Sequence, residues 1–268
     1  MLLRWYRLVL TVPAVVLGAL GIRACLLIDR VLGRRQPLDG LGRWAQVAWC
    51  RLFCRLYGIR VSTAGAPLAA APALIASNHV SWLDIVVIAS QWPVAFLSKS
   101  EVARWPLVGG VATGLGTLYI QRGARQAAVR TQEAMVARLH RGQRILFFPE
   151  GTTSDGSGVL PFRPRLYQSA IDAGAVVQPL ALSYRDADGR HRPEVPFVGD
   201  QSMLANIHAL ASVPRLVARL ELAEPLAVRA GTRSQLSAAS RTAIRSRLGL
   251  SVDDDKESAA TATASASR

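Results

Sequence analysis

The sequence predicts an α/β domain, a mixed, mainly parallel sheet flanked by helices, preceded by an N-terminal membrane-associated helical segment. Three observations predict it. Residues 8–22 form an apolar run with no charged side chain. From about Ile59 onward, short apolar runs alternate with helix-like segments, the pattern of strands joined by crossover helices. Glycines and a Trp-Pro pair punctuate those segments, where a chain leaving a helix needs them.

As a helix, the first apolar run rises only ~22 Å at ~1.5 Å per residue, short of the ~30 Å hydrocarbon core. Counting through Arg23 into the next apolar run, residues 24–28, makes it long enough to span, with the arginine near one end able to snorkel. Pro13 kinks such a helix rather than abolishing it. No convincing small-x-small site follows, which argues against a cleaved signal peptide. Arg4 and Arg7 precede the run and Arg30, Arg34 and Arg35 follow it, so flanking charge does not orient it. A second segment, residues 41–57, places Ala45, Trp49, Leu52, Phe53 and Leu56 at helical spacing, with Arg43, Arg51 and Arg55 on another side. That pattern suits the headgroup boundary of a membrane or a face turned to a domain core. Residues 1–58 are read as membrane-anchoring helices.

In the domain at residues 59–250, strands are expected over residues 73–77, 94–98, 117–120, 144–148 and 176–184. Helices are expected over 82–91, 124–140 and 164–173. Gly142 and Gly174 stand as C-terminal caps, and Trp92-Pro93 stops the first helix. Chemistry in such a sheet lies at the carboxyl ends of the strands. Residues 251–268, three aspartates followed by mostly Ala, Thr and Ser, read as a disordered tail.

The formal net charge of +14, almost all of it from arginine, favours an anionic membrane surface as partner. No nucleic-acid partner is expected: zinc-finger spacing, a basic region feeding heptads and an aromatic RNA-binding signature are all missing. Cys25, Cys50 and Cys54 suggest neither a disulfide framework nor a zinc set. The four histidines show no metal-ligand spacing, so neither metal nor cofactor is expected. Without a Gly-x-Ser-x-Gly elbow, a serine hydrolase is disfavoured.

Three strand ends carry residues suited to chemistry. Asn78-His79-Val80-Ser81-Trp82-Leu83-Asp84 follows the strand at 73–77. Ser81 is placed as N-cap of the next helix with Asp84 in its first turn. A neutral imidazole at His79 could serve as general base, with Asp84 fixing its tautomer. Phe147-Phe148-Pro149-Glu150-Gly151-Thr152-Thr153-Ser154 opens into a glycine-rich turn that offers N–H groups and hydroxyls to a polar ligand. The strand at 117–120 leads into Gln121-Arg122, and an arginine there can grip a phosphate or carboxylate bidentately.

Taken with Val177-Gln178-Pro179-Leu180, these blocks resemble in order the four motifs of the lysophosphatidate acyltransferase family of glycerolipid acyltransferases. Lys99-Ser100-Glu101 and Trp105-Pro106 are similar to the segment between the family's first two blocks. The resemblance implies that His79 deprotonates an acceptor hydroxyl and Asp84 orients it. It implies that Arg122 binds the acceptor's anionic group, and that Glu150, Gly151 and Thr152 position the acceptor or help stabilise the transition state. The Pro179 block would shape the acyl-donor side. The donor is acyl-CoA or acyl carrier protein and the acceptor a lysolipid, first 1-acylglycerol-3-phosphate. The implied site is the inner (cytoplasmic) membrane, with the catalytic domain facing the cytoplasm. Tyr119-Ile120-Gln121-Arg122 and Phe162-Arg163-Pro164-Arg165 depart from the commoner family patterns. The Thr-Thr-Ser-Asp-Gly run and Phe197-Val198-Gly199-Asp200 resemble a bacterial branch that acylates lyso-ornithine lipids.

Overall fold

The computed structural model describes residues 2–34, 40–121, 125–229 and 231–250. Arg122 and the expected tail at 251–268 lie outside the described residues. The N-terminal segment is one continuous helix, α1 (Leu2–Val31), which runs through Pro13 and Arg23 without a break. It is long and apolar enough to cross a membrane. Of the two lengths the sequence allowed, the helix takes the longer one, counted through Arg23.

α1 has two buried charges, Arg7 and Asp29. Arg7 donates to the carbonyls of Leu56, Ala211, Val213 and Pro214. Asp29 accepts from the N–H groups of Leu41 (2.9 Å) and Gly42 (2.8 Å), and so caps the start of α2 (Leu41–Leu56) from a neighbouring helix. The Trp49 indole N–H donates to Ala14 O at 2.8 Å. Its ring lies so close to Gly18 that a Cβ there would stand 1.9 Å from Nε1.

α2 turns inward a face that overlaps the one its spacing suggested: Phe53 is buried and Trp49 and Leu56 pack against the core. Val47, Cys50, Phe53 and Cys54 are buried, whereas Leu52 is exposed. Arg43, expected on the polar side, is buried too. Its guanidinium reaches the carbonyls of Val94 (2.9 Å) and Leu115 (2.5 Å) and the Gln46 side chain. Burial pulls its pKa down to about 10, so it stays charged at neutral pH. Cys50, Phe53 and Cys54 belong to the same buried cluster as Ile75, Leu146 and Leu180, so the α/β core extends across residue 58.

Seven strands form one sheet: β1 (Ile59–Gly65), β2 (Ala73–Ser77), β3 (Ala95–Lys99), β4 (Leu118–Ile120), β5 (Arg144–Phe147), β6 (Val176–Arg185) and β7 (Leu216–Leu222). Their spatial order is β1-β7-β6-β2-β5-β3-β4. β6, β2, β5, β3 and β4 are mutually parallel. β7 runs antiparallel to β6, and β1 is parallel to β7. Strand alternation sorts the two faces. Ile75, Leu146, Leu180 and Leu182 join α2 and α3 (Leu83–Ala89) on one side. Leu74, Ile145, Phe147 and Val177 join α5 (Arg125–His140), α6 (Gln168–Ala173) and α8 (Arg233–Leu248) on the other. Each fully buried Leu or Ile contributes about 1.5–3 kcal/mol.

The expected strands and helices match observed elements to within a few residues, except that residues 164–167 form a separate 3-10 turn ahead of α6. β1, β7, α4 (Val108–Gly114), α7 (Met203–Leu210) and α8 have no counterpart among the expectations.

Candidate active site

β2, β5, β3 and β4 point their carboxyl ends to one edge of the sheet, and the motif residues gather there. After β2, Asn78 imitates one more ladder residue. Its Oδ1 accepts Leu182 N–H (2.8 Å) and its Nδ2 donates to Leu182 O (2.9 Å). The turn that follows is thereby tied to β6, and His79 is set at the sheet edge.

Asp84, in the first turn of α3, folds back over this turn. Its Oδ2 accepts from His79 Nδ1 (2.7 Å), Val80 N (2.8 Å) and Ser81 N (3.1 Å). Its Oδ1 accepts from the Tyr184 hydroxyl (2.7 Å). Asp84 is fully buried, and an ionised carboxylate only accepts. The ring proton of His79 is therefore assigned to Nδ1, which leaves a lone pair on Nε2. The His79 side chain keeps 19% of its surface open to solvent, enough for a substrate to reach it.

The expected capping by Ser81 is present but weak. Ser81 Oγ accepts Leu83 N–H at 3.4 Å, while Trp82 beside it already has helical φ −55° and ψ −25° and makes no side-chain cap. Asp84, in the first turn as expected, reaches back to Ser81 N–H, and a charged carboxylate makes that the stronger contact.

The third motif clamps His79 from three sides. The Phe148 ring stacks on the imidazole, centroids 3.8 Å apart and planes at 11°. Glu150 Oε1 accepts His79 N–H (2.8 Å). Ser154 donates to His79 O through its backbone N–H (2.8 Å) and its hydroxyl (3.2 Å). Glu150 Oε2 accepts Leu160 N–H at 3.2 Å, so both carboxyl oxygens hold backbone and Glu150 faces inward. Burial, opposed by those two hydrogen bonds, pushes its pKa up to about 8.

Gly151 sits at φ +73°, and its N–H is bonded to Phe148 O at 3.1 Å. The Arg163 guanidinium lies against it, 3.2 Å from where a Cβ would stand, so a side chain would push the arginine aside. Thr152 is exposed at the outer rim. The Thr153 hydroxyl donates to Phe197 O, and Phe197 N–H donates to Val80 O at 3.0 Å. The Phe197 segment is thus docked onto both motifs.

Of the expected site residues, the structure brings His79, Asp84, Glu150 and Gly151 together. For the second block it shows β4 ending at Ile120, in register with Lys99 of β3, two residues before Arg122. In the fourth block Gln178 is buried. It accepts from Ala69 N (2.7 Å) and donates to Pro67 O and Ala223 O, which ties the loop after β1 to the sheet.

Two residues escaped sequence reasoning. Burial raises the Tyr184 hydroxyl well above its usual range, which keeps it a donor to Asp84. It lies 100 positions away from Asp84, with only an inward place on a strand to mark it. Phe148 was visible as an aromatic residue before Pro149, though without any sign that it touches the histidine. Among the described residues, no group of three or more His, Cys, Asp or Glu side chains could hold a metal ion.

The acyltransferase family model matches residues 58–183. Over 206 residues the chain is 38% identical to a lyso-ornithine lipid O-acyltransferase of Pseudomonas aeruginosa, covering 76% of this chain and 77% of that protein. Over 148 residues it is 40% identical to a 1-acyl-sn-glycerol-3-phosphate acyltransferase of Neisseria meningitidis, covering 55% and 58%. The fold is similar to that of the 1-acyl-sn-glycerophosphate acyltransferase PlsC of Thermotoga maritima, with TM-score 0.58 and 18% identity over 86% of this chain and 95% of that one. With the Pseudomonas aeruginosa relative 38% identical and covered over 77% of its length, and the family model matching residues 58–183, the chain belongs to the acyltransferase family.

Proposed function

We propose that the enzyme transfers a fatty acyl group from an acyl thioester to the free hydroxyl of a lysolipid, with His79 as general base. The observation that carries this is the 2.7 Å contact between His79 Nδ1 and the buried Asp84. It commits Nδ1 as a donor and leaves Nε2 to take the hydroxyl proton. The freed oxygen attacks the thioester carbonyl, the C–S bond breaks, and the imidazolium returns its proton to the leaving sulfur. Asp84 keeps the ring oriented and stabilises the imidazolium while the proton rests there. A positioned base supplies ~10²–10⁴-fold in rate; holding acceptor and donor side by side must supply much of the rest.

Glu150, turned inward, positions the His79 loop rather than the substrate. Gly151 and Thr152 border the acceptor, and Arg122 grips its anionic group. The donor is acyl-CoA or acyl carrier protein, which places the catalytic domain on the cytoplasmic face of the inner membrane. α1 and the basic surface hold it against anionic lipid.

Two acceptors offer an anionic group to an arginine, the phosphate of lysophosphatidate and the carboxylate of a lyso-ornithine lipid. The relative with the longer match is named for lyso-ornithine lipid, which favours that acceptor; the relative at 40% identity is named for 1-acylglycerol-3-phosphate, which favours lysophosphatidate. Purified enzyme given labelled acyl-CoA, or labelled acyl carrier protein, with each lysolipid in parallel decides both questions. Transfer to one or both, abolished in His79→Ala, is the expected result. No transfer to either would overturn the reading.

A further inference from the structure

We propose that the turn Trp105-Pro106-Leu107-Val108 is a second membrane contact, one that inserts into the headgroup–acyl boundary of the bilayer beside the active-site edge. The inference rests on the reading of α1 as a membrane element and adds a lipid contact made by the catalytic domain itself.

The turn is built to push apolar side chains outward. Leu107 has φ 62° and ψ −54°, and Val108 N donates to Pro106 O at 2.6 Å. This is a γ-turn of the rare, strained sense. Such strain persists where the surroundings enforce it and clusters at working sites. Trp105, Leu107 and Val108 are all exposed.

Position identifies the occupant. The turn leads into α4, which packs along the C-terminal half of α1. The Arg23 guanidinium lies over Gly110, 3.0 Å from where a Cβ would be, and Leu26 lies over Gly114 at 2.7 Å. A side chain at either glycine would force its neighbour on α1 to shift. α4 thus carries the turn close to α1, a helix that exposes Leu17, Leu20, Leu27, Ile28 and Val31. Exposed Lys99, Arg104 and Arg23 lie at or near the border of the turn. Tryptophan among apolar side chains with basic residues at the rim matches an anionic lipid interface.

Topology then gives the contact a purpose. The turn follows the carboxyl end of β3, and His79 and Glu150 follow those of the parallel strands β2 and β5. A bilayer touching both α1 and this turn meets the same sheet edge as the base. A lysolipid could pass from the membrane to His79 without crossing water.

The test uses the full chain in vesicles of phosphatidylcholine and phosphatidylglycerol, carrying one spin label at a time in a Cys25→Ser background. Labels on Val108→Cys and Leu27→Cys should both be shielded from a water-soluble relaxant and open to oxygen, while one on Asp188→Cys stays in water. A lipid-shielded Leu27 label with a water-exposed Val108 label would overturn the turn and leave the membrane reading standing. Water exposure of both would overturn the two together. As a second readout, Trp105→Gln/Leu107→Asn/Val108→Ser should lower acylation of lysolipid in vesicles by about fivefold or more, yet leave transfer to a short-chain monomeric lysolipid unchanged. Equal losses on both substrates would assign the turn to folding and overturn the proposal.

Discussion

The Tyr184 hydroxyl donates to Asp84 Oδ1 at 2.7 Å, from a strand residue 100 positions further along the chain. It occupies the carboxylate oxygen that His79 does not use, so the acid is held from both sides. Tyr184→Phe removes one neutral hydrogen bond and leaves the packing. With about 0.5–1.5 kcal/mol at stake, kcat should fall about two- to tenfold with both KM values unchanged. Steady-state kinetics on each substrate checks this. A shift in either KM, or an unchanged kcat, would remove Tyr184 from the positioning of Asp84.

Asp84→Asn separates charge from geometry. Its amide oxygen can replace Oδ2 toward Val80 N–H, Ser81 N–H and His79 Nδ1, and its NH₂ can donate to the Tyr184 oxygen. Loss of the charge alone should lower kcat about ten- to a hundredfold, from the ~1.5–3 kcal/mol of a charged hydrogen bond. His79→Ala should cost more, ~10²–10⁴-fold, with the fold intact by circular dichroism. A histidine variant that kept more than about a tenth of wild-type turnover would contradict its role as base.

Glu150 gives a pH signature. Its carboxyl is held at about 8 in the folded protein against 4.5 as a free side chain. Between those values the native state keeps a proton that the unfolded chain has lost. This contribution to stability is complete below about 4.5 and is lost as pH rises through about 8. Glu150→Gln removes the dependence. Scanning calorimetry should show wild-type Tm falling more steeply than the variant's between pH 5 and pH 8. Parallel curves would mean that Glu150 is ionised throughout that range.

Arg122→Ala should raise the acceptor KM strongly and leave the donor KM nearly unchanged, since a bidentate contact to a charged group is worth on the order of 2–4 kcal/mol. Arg122→Lys should recover only part, because an ammonium cannot reproduce the fork. Initial rates with each substrate varied in turn would measure it. Equal effects on both substrates would assign Arg122 to structure.

Much of the site was legible because its residues are contiguous. His79 and Asp84 fall in one turn, and the Phe148 to Ser154 run falls in another. Their mutual grip was not legible, since it depends on β2 and β5 being neighbours. β1 escaped because Ile59–Gly65 is largely exposed at the sheet edge and offers no apolar run. α4 escaped because its Val-Gly-Gly-Val-Ala-Thr-Gly sequence is a poor helix former; contact with α1 rewards the glycines. Arg43 looked like a surface charge, and only the fold supplies the carbonyls that make its burial tolerable. By contrast, β7 and α8 carried readable signals, an alternation in Leu216–Leu222 broken only by Val217 and the capping box of Thr232 with Gln235.

The pairing of Arg7 with four carbonyls of the catalytic body, and of Asp29 with the first N–H groups of α2, bears on how such an enzyme can be handled. Excising α1 to obtain a water-soluble fragment would strip those carbonyls of their guanidinium donor and the start of α2 of its carboxylate acceptor. Grafting another protein's anchor in its place would do the same unless an arginine and an aspartate were carried across at matching heights. The leading helix is therefore a poor candidate for trimming or exchange, and detergent or nanodisc preparations of the intact chain are the sounder starting material for kinetics.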